Sequence, residues 1–446
     1  MHAPPARGGL RIACDSLVAL GSATADGAVL FAKNSDRPAN ECQPLLQVAR
    51  SQHPAGARLR CTYVDIPQHT ETARVIGSQP FWCWGFEHGL NEHGVAIGNH
   101  TVFTKDALAG TGLIGMDLVR LGLERCRSAS EAVAVITLLI EQYGQGGSGY
   151  HDKNWPYHNS FLVADRGAAF IVETSDRRWA VRQINGVAGD AVASDAVASN
   201  AVASVSNHLT IGDDWDALSE GAIEHAIAQG WWDESREDCF SFAEAYRDTS
   251  TVPDVVSTGR HQRTCQLLED GIGTQSIDSL KRALRDHYGR ACPPTDVTPD
   301  DPHYFSVCMH AEPVGTTTAS MIARLAPQAC EPLVYWASLG SPCVSAFVPL
   351  YLDAEIPAVL SRGGERTSDD SAWWQFKRLL TLVERDWQRY GAPVREALDA
   401  FEAETAKQIH ARRIGSASAT ERTAFMDAVV SDLLTRVRRL IGELSR

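Results

Sequence analysis

The chain has 446 residues, 41 of them basic and 55 acidic, which gives a net charge of −14 at pH 7. That balance argues against a general nucleic-acid or anionic-membrane surface, since either needs a basic patch. Apolar residues make up 44% and charged residues 22%, ordinary proportions for a packed globular enzyme of one large or two medium domains, and no run of eighteen apolar residues offers a membrane span.

Met1 to Ala13 holds two prolines, two arginines and two glycines without a continuous apolar core. It does not read as a secretory signal, so a cytoplasmic protein is expected. The eleven cysteines are scattered, with no CxxC, and their odd number in a long chain predicts reduced thiols rather than a disulfide framework. Ser16 to Leu20 and Ala28 to Ala32 read as two short apolar strands with Asp26-Gly27 at the turn. Such a hairpin returns Phe31-Ala32-Lys33-Asn34-Ser35-Asp36-Arg37 toward Cys14. If residues 1–13 are cut away, Cys14 carries a thiol and a free α-amine on one residue.

Further along, Val95 to Ile97 reads as a buried strand with Asn91 and Gly94 at its turn. Helical spacing predicts Met116 to Cys126 and Ser130 to Tyr143, the latter with a serine N-cap. Strands are expected at 160–164, 168–173 and 179–183. Ala-Val-Ala-Ser then occurs three times, at 191–194, 196–199 and 201–204, which reads as slippage within a surface loop. Residues 215–300 read as mixed and mostly helical, strands return at 304–309, 319–325 and 333–337, and the tail from Asp370 reads as helices 373–387, 395–414 and 421–444. Strands and helices without a βαβ rhythm predict a layered α+β fold.

Gly144-Gln145-Gly146-Gly147-Ser148-Gly149 matches GxGxxG but follows a helix, so it reads as a helix C-cap and loop rather than a dinucleotide site. His310-Ala311-Glu312 matches half of a zinc-deaminase signature, yet no Pro-Cys-x-x-Cys follows. Trp82 and Trp84 read as core or as pocket lining.

Several strings occur together in one order: Cys14-Asp15; Phe31 to Pro38; Trp84-Gly85-Phe86-Glu87 running into Gly89 to Asn99; Tyr143 to Gly147; Ser206-Asn207-His208-Leu209-Thr210-Ile211; Cys308-Met309-His310-Ala311; and Thr317 to Met321. The ordered set, from Cys14 to about Trp387, resembles the secernin branch of the C69 peptidases, which are N-terminal-nucleophile hydrolases. The resemblance implies a four-layer αββα sandwich of two antiparallel sheets flanked by helices. It divides the chain into a leader (1–13), a body with helical insertions (14–360) and a helical segment packed on that body (361–446). It also implies hydrolysis of a small amide, a dipeptide first, with Cys14 as nucleophile, Asp36 and Lys33 beside it, and Asn207 and Asn99 as oxyanion donors. The related bile-salt hydrolases and penicillin V acylases look as if they carry arginine where this chain has Lys33, and a point charge is no equivalent of a bidentate fork.

The chemistry needs no metal and no organic cofactor. A thiol of pKa about 8.5 and an α-amine of about 8 can exchange a proton within one residue. On this reading Asp36 orients the ammonium and Lys33 favours the thiolate. The leader leaves by the same chemistry, Cys14 attacking the carbonyl of Ala13. Each residue also has a structural reading: Cys14 as core, Asp36 as a turn cap, Lys33 as a snorkelling strand lysine, Asn207 as a loop amide. A non-peptide amidase or acylase, and a leader-bearing scaffold that binds without catalysis, stay open. The expected partner is a small peptide or amide, with no nucleic acid and no membrane. The sequence leaves the oligomeric state, a homo-oligomer included, undetermined.

Overall fold

A computed structural model describes residues 13–185, 200–251, 254–294, 297–299, 301–312, 314–328 and 330–446. Residues 1–12 of the leader and the first two Ala-Val-Ala-Ser copies lie outside the described residues.

The first hairpin forms as the sequence predicts. Strands β1 (Ala13–Ala19) and β2 (Val29–Arg37) pair antiparallel, with Ala13 opposite Asp36 and Cys14 opposite Ser35. Gly27 takes φ +76° at the turn, a left-handed conformation that favours glycine, and the Asp26 carboxylate accepts from the Ala28 N–H at 3.1 Å. The chain then lays down β3 (Leu45–Val48), β4 (Val75–Ser78), β5 (His88–Asn91) and β6 (Ala96–Val102). After helices α1 (Gly115–Arg125) and α2 (Ala129–Tyr143) come β7 (His158–Ala164), β8 (Ala169–Ser175), β9 (Arg178–Ile184), β10 (Val202–Val205) and β11 (Ala217–Leu218). Helices α3 (Ala222–Ala228), α4 (Phe242–Tyr246), α5 (Thr258–Glu269) and α6 (Ile277–Leu284) lead to β12 (His310–Ala311), β13 (Gly315–Leu325), β14 (Val334–Leu339) and β15 (Val348–Tyr351). Helices α7 (Ala372–Val383), α8 (Trp387–Ala411) and α9 (Ala419–Leu444) close the chain.

These strands build two antiparallel sheets. One runs β10-β1-β2-β13-β14-β15, with β12 on β13; the other runs β11-β9-β8-β7-β6-β5-β4-β3. Period-two alternation fixes what each face buries. On β7 and β8, Leu162, Ala164 and Ile171 join the core between the sheets, while Phe161, Val163 and Val172 join Leu118, Leu121, Ile136 and Ile140 under α1 and α2. On the far side α5 packs on β1 and β10, α6 on β2 and β13, α7 on β14 and α9 on β15. The fold is α+β, helices outside two stacked sheets, with a helical C-terminal part that shares the inter-sheet core cluster.

Several sequence-based boundaries shift. The cap of α2 is Ser128, whose hydroxyl accepts from the Glu131 N–H, and Ser130 falls inside the first turn. The third Ala-Val-Ala-Ser copy is not loop: 202–204 belong to β10, bonded to β1. Tyr304 to Met309 is not a strand, because a 3₁₀ turn at 302–304 ends the register and Met309 instead bonds to Thr317. Strand 348–351 escaped the pattern, and Trp387 opens α8 rather than ending α7. Gly144 caps α2 at φ +71°, as the loop reading of its glycine string expects. All eleven cysteines are free thiols. Among the described residues no helix is long and apolar enough to cross a membrane.

Candidate active site

Strand β2 is buried along its whole length, although its last five residues are Lys33, Asn34, Ser35, Asp36 and Arg37. Polar groups withdrawn from water at this density must find partners. Alternation distributes them over two faces. Cys14, Ser16, Lys33 and Ser35 lie toward the second sheet, where Ser16 Oγ is 2.8 Å from His100 Nε2. Asp15, Asn34 and Asp36 lie toward the helices. Asn34 donates to the carbonyls of Leu284 (2.9 Å) and Val307 (2.8 Å) and accepts from Ser320 Oγ (2.7 Å).

The thiol of Cys14 is 5% exposed. Burial pushes it up to about 11; Lys33 pulls it down, Glu87 and Asp36 push it up, and the Asp36 backbone N–H donating to the sulfur lowers it. Lys33 Nζ donates to the Asn34 carbonyl (3.3 Å) and sits 3.8 Å from Glu87 Oε2, so its charge is held inside rather than snorkelling to water. Its stem crosses Gly98 so closely that a Cβ there would lie 2.5 Å from Lys33 Cδ, which makes glycine a requirement of the lysine's path. Arg37 continues the charged wall. It grips Glu41 at 2.7 and 3.2 Å, stands 3.5 Å from Glu87 Oε1 and lies 4.5 Å from the Tyr150 ring centroid.

The nitrogen of Cys14 is held separately. Its N–H donates to Asn207 Oδ1 at 2.8 Å. Arg260, fully buried on α5, donates to the same oxygen at 2.8 Å and to Asp15 Oδ2 at 2.5 Å, while Asn207 Nδ2 donates to the Thr101 carbonyl at 3.0 Å. Asn207 thus presents its oxygen, not its amide hydrogens, to Cys14.

Asp36 stands directly across from Ala13 in the β1–β2 ladder. Its Oδ1 accepts from Thr317 Oγ1 at 2.5 Å, and its buried Oδ2 has no hydrogen-bond partner among the described residues. Burial pushes this carboxyl up to about 7; Arg260 lowers it, Asp15 raises it, and the Thr317 bond and Lys33 lower it. The stability consequence has a definite sign. An unfolded aspartate loses its proton near pH 3.9, whereas the folded one holds it to about 7. Stability is therefore full below pH 3.9 and falls as pH rises toward 7. In a leader-bearing Cys14→Ala background, Asp36→Asn should raise the urea midpoint at pH 8 and leave it nearly unchanged at pH 4. Equal effects at both pH values would contradict the assignment.

Asn99 does not join this group. In the amide orientation that satisfies both of its polar atoms, it donates to the Glu87 carbonyl at 3.0 Å and to Glu87 Oε2 at 2.9 Å. Its other close neighbours, Met116 and Gly115, belong to α1, whereas the adjacent Gly98 and His100 face β1 and β2. The structure thus places Cys14, Asp36, Lys33 and Asn207 together, whereas Asn99 reaches Lys33 only through Glu87. Sequence reasoning missed Arg260, Glu87 and Thr317. Glu87 had a signal, a carboxylate among Trp84, Gly85 and Phe86. Asp15 had one too, as a charge inside an apolar strand that must find a cation.

The family described as peptidase family C69 matches residues 13–269 and 253–399. Among solved structures, the chain is similar to penicillin V acylase from Agrobacterium tumefaciens, at 13% identity and a TM-score of 0.42 over 76% of this chain and 84% of that one. It is also similar to a mutant of conjugated bile acid hydrolase from Clostridium perfringens, at 11% identity and a TM-score of 0.43 over 80% of this chain and 98% of that one.

Proposed function

The chain belongs to peptidase family C69, and from that premise we propose that it is a cysteine-dependent N-terminal-nucleophile hydrolase of small amides, dipeptides first. The observation that carries this reading is the setting of one nitrogen. The Cys14 N–H already meets Asn207 Oδ1, and the carboxyl across from Ala13 keeps one buried oxygen without a partner among the described residues. An amide nitrogen has a single hydrogen to give, while an α-ammonium has three. Cutting the Ala13–Cys14 bond supplies the donor that Asp36 Oδ2 lacks. The family match opens at residue 13, beside that bond.

The thiol explains why the cut is needed. With a pKa of about 11, roughly one thiol in 10⁴ is ionised at pH 7. A buried sulfur in that state needs a base, and on this face Lys33 is a cation and cannot serve. A freed α-amine can. It takes the thiol proton as sulfur bonds to the substrate carbonyl carbon, then hands it to the departing amine as the C–N bond breaks. Water, deprotonated by the same amine, releases the acid from the thioester. Lys33 stabilises the thiolate, while Asp36 and Asn207 hold the amine. The leader itself leaves once per molecule, so an intramolecular attack at low thiolate fraction suffices.

Intact-mass measurement with N-terminal sequencing on protein that is turning over a panel of dipeptides tests the reading. The expected mature chain begins at Cys14. Turnover by a chain that still carries residues 1–13 would falsify the mechanism.

A further inference from the structure

Four side chains outside the Cys14 site converge from three separate parts of the chain. His287 follows α6, Cys308 precedes β12, His310 opens β12, and Cys343 sits in a 3₁₀ turn after β14. Each offers one donor atom, and the four atoms all lie within 4.8 Å of one another. Cys308 Sγ is 3.5 Å from His310 Nε2, which is 3.3 Å from Cys343 Sγ. A tetrahedral zinc ion with bonds of about 2.3 Å to sulfur and 2.0 Å to nitrogen spaces its ligand atoms about 3.3–3.8 Å apart.

We infer that His287, Cys308, His310 and Cys343 form a structural zinc site. Two observations besides the spacing support this. His287 is 2% exposed, and among the described residues its Nε2 has no hydrogen-bond partner, an outlay that a ring serving only as core filling would not require. His310 Nδ1 stands 4.0 Å from the Glu384 carboxylate, beyond hydrogen-bond distance, and the ring packs edge-on against Trp387 at 5.2 Å, a contact that restricts its rotation. Two thiolates and two imidazoles are a donor set that selects zinc over magnesium or calcium. All four positions being filled by protein, the ion has no open coordination for catalysis. Cys308 lies two residues before His310, while His287 and Cys343 come from distant segments, so no Cys-x-x-Cys pair accompanies the motif.

The location gives the ion a task. Met309, between two ligands, donates its N–H to Thr317 Oγ1 at 2.8 Å and accepts from the Thr317 N–H at 3.0 Å. That same hydroxyl donates to Asp36 Oδ1. Zinc would fix both neighbours of Met309 and so keep the Thr317 hydroxyl aimed at Asp36, acting as a positioning group and not a catalytic one.

Full-length protein expressed with zinc in the medium and purified without chelator should contain one zinc per chain by elemental analysis. X-ray absorption on that protein should show a shell of two sulfur and two nitrogen atoms. Cobalt-loaded protein should show a thiolate-to-cobalt charge-transfer band that Cys343→Ser cuts to about half or less, that Cys308→Ser combined with Cys343→Ser removes, and that Cys265→Ser keeps. Under a tenth of an equivalent of zinc, a shell without sulfur, or a Cys308–Cys343 disulfide in freshly purified protein would each overturn the assignment. The absorption measurement uses the unaltered chain, so misfolding of a variant cannot obscure the answer.

Discussion

A Cys14→Ala chain is expected to keep its fold and its full-length mass while losing amide turnover by about 10⁶-fold, the scale seen when a catalytic nucleophile is deleted. The two losses share one cause. The sulfur is the atom proposed to break the Ala13–Cys14 bond and the atom proposed to attack substrate, so deleting it blocks maturation and chemistry together. Folding should be spared, because the change removes one sulfur atom and the hydrogen bond that the Asp36 backbone gives it. Losing one such bond costs about 1 kcal/mol. Circular dichroism, intact mass and a dipeptide assay on one preparation separate the cases. An unfolded variant would identify Cys14 as core, and a folded, leader-free variant would assign the cut to another agent.

The hairpin that carries this chemistry was legible because its signals are local. Asp26-Gly27 dictates the turn, apolar alternation dictates the strands, and the register then follows, bringing Asp36 opposite Ala13. The pairing of Asn207 with Cys14 was legible only as part of an ordered motif set, and its orientation was not: an asparagine is donor and acceptor at once, and only Arg260 and Thr101 decide which end faces Cys14. The partner of Asn99 was hidden for a related reason. Nothing local reveals that Glu87 returns beneath it to take its hydrogens. Tyr304 to Met309 has the apolar and aromatic character of a strand, but the backbone of Met309 is claimed by the Thr317 hydroxyl, a contact that period-two patterning cannot register. The same limit hid the His287, Cys308, His310 and Cys343 cluster: the string around His310 drew notice, but His287 and Cys343 give no signal within their own windows and join it only in the fold.

Arg260 is the extreme case, and its removal carries the second large expectation. Its helix lies in the mixed, mostly helical stretch 215–300 and opens Thr-Gly-Arg-His-Gln-Arg, yet the guanidinium is completely buried. It donates to Asp15, to Asn207 and to the Val256 carbonyl. Arg260→Met should cost about 3–5 kcal/mol, because it leaves Asp15 charged and unpaired in the interior. The penalty belongs to the orphaned carboxylate more than to the lost attraction, so Arg260→Met combined with Asp15→Leu should recover most of it, a coupling that a double-mutant cycle in urea reads directly. Activity should not return with stability. Without the guanidinium, Asn207 Oδ1 loses the donor that pins it toward the Cys14 nitrogen, and a refolded double variant should still shed its leader slowly and turn over poorly. A single variant within 1 kcal/mol of the parent would mean that Asp15 is not held as a buried anion. A double variant with full turnover would mean that Arg260 serves the fold alone and that Asn207 needs no help to face Cys14.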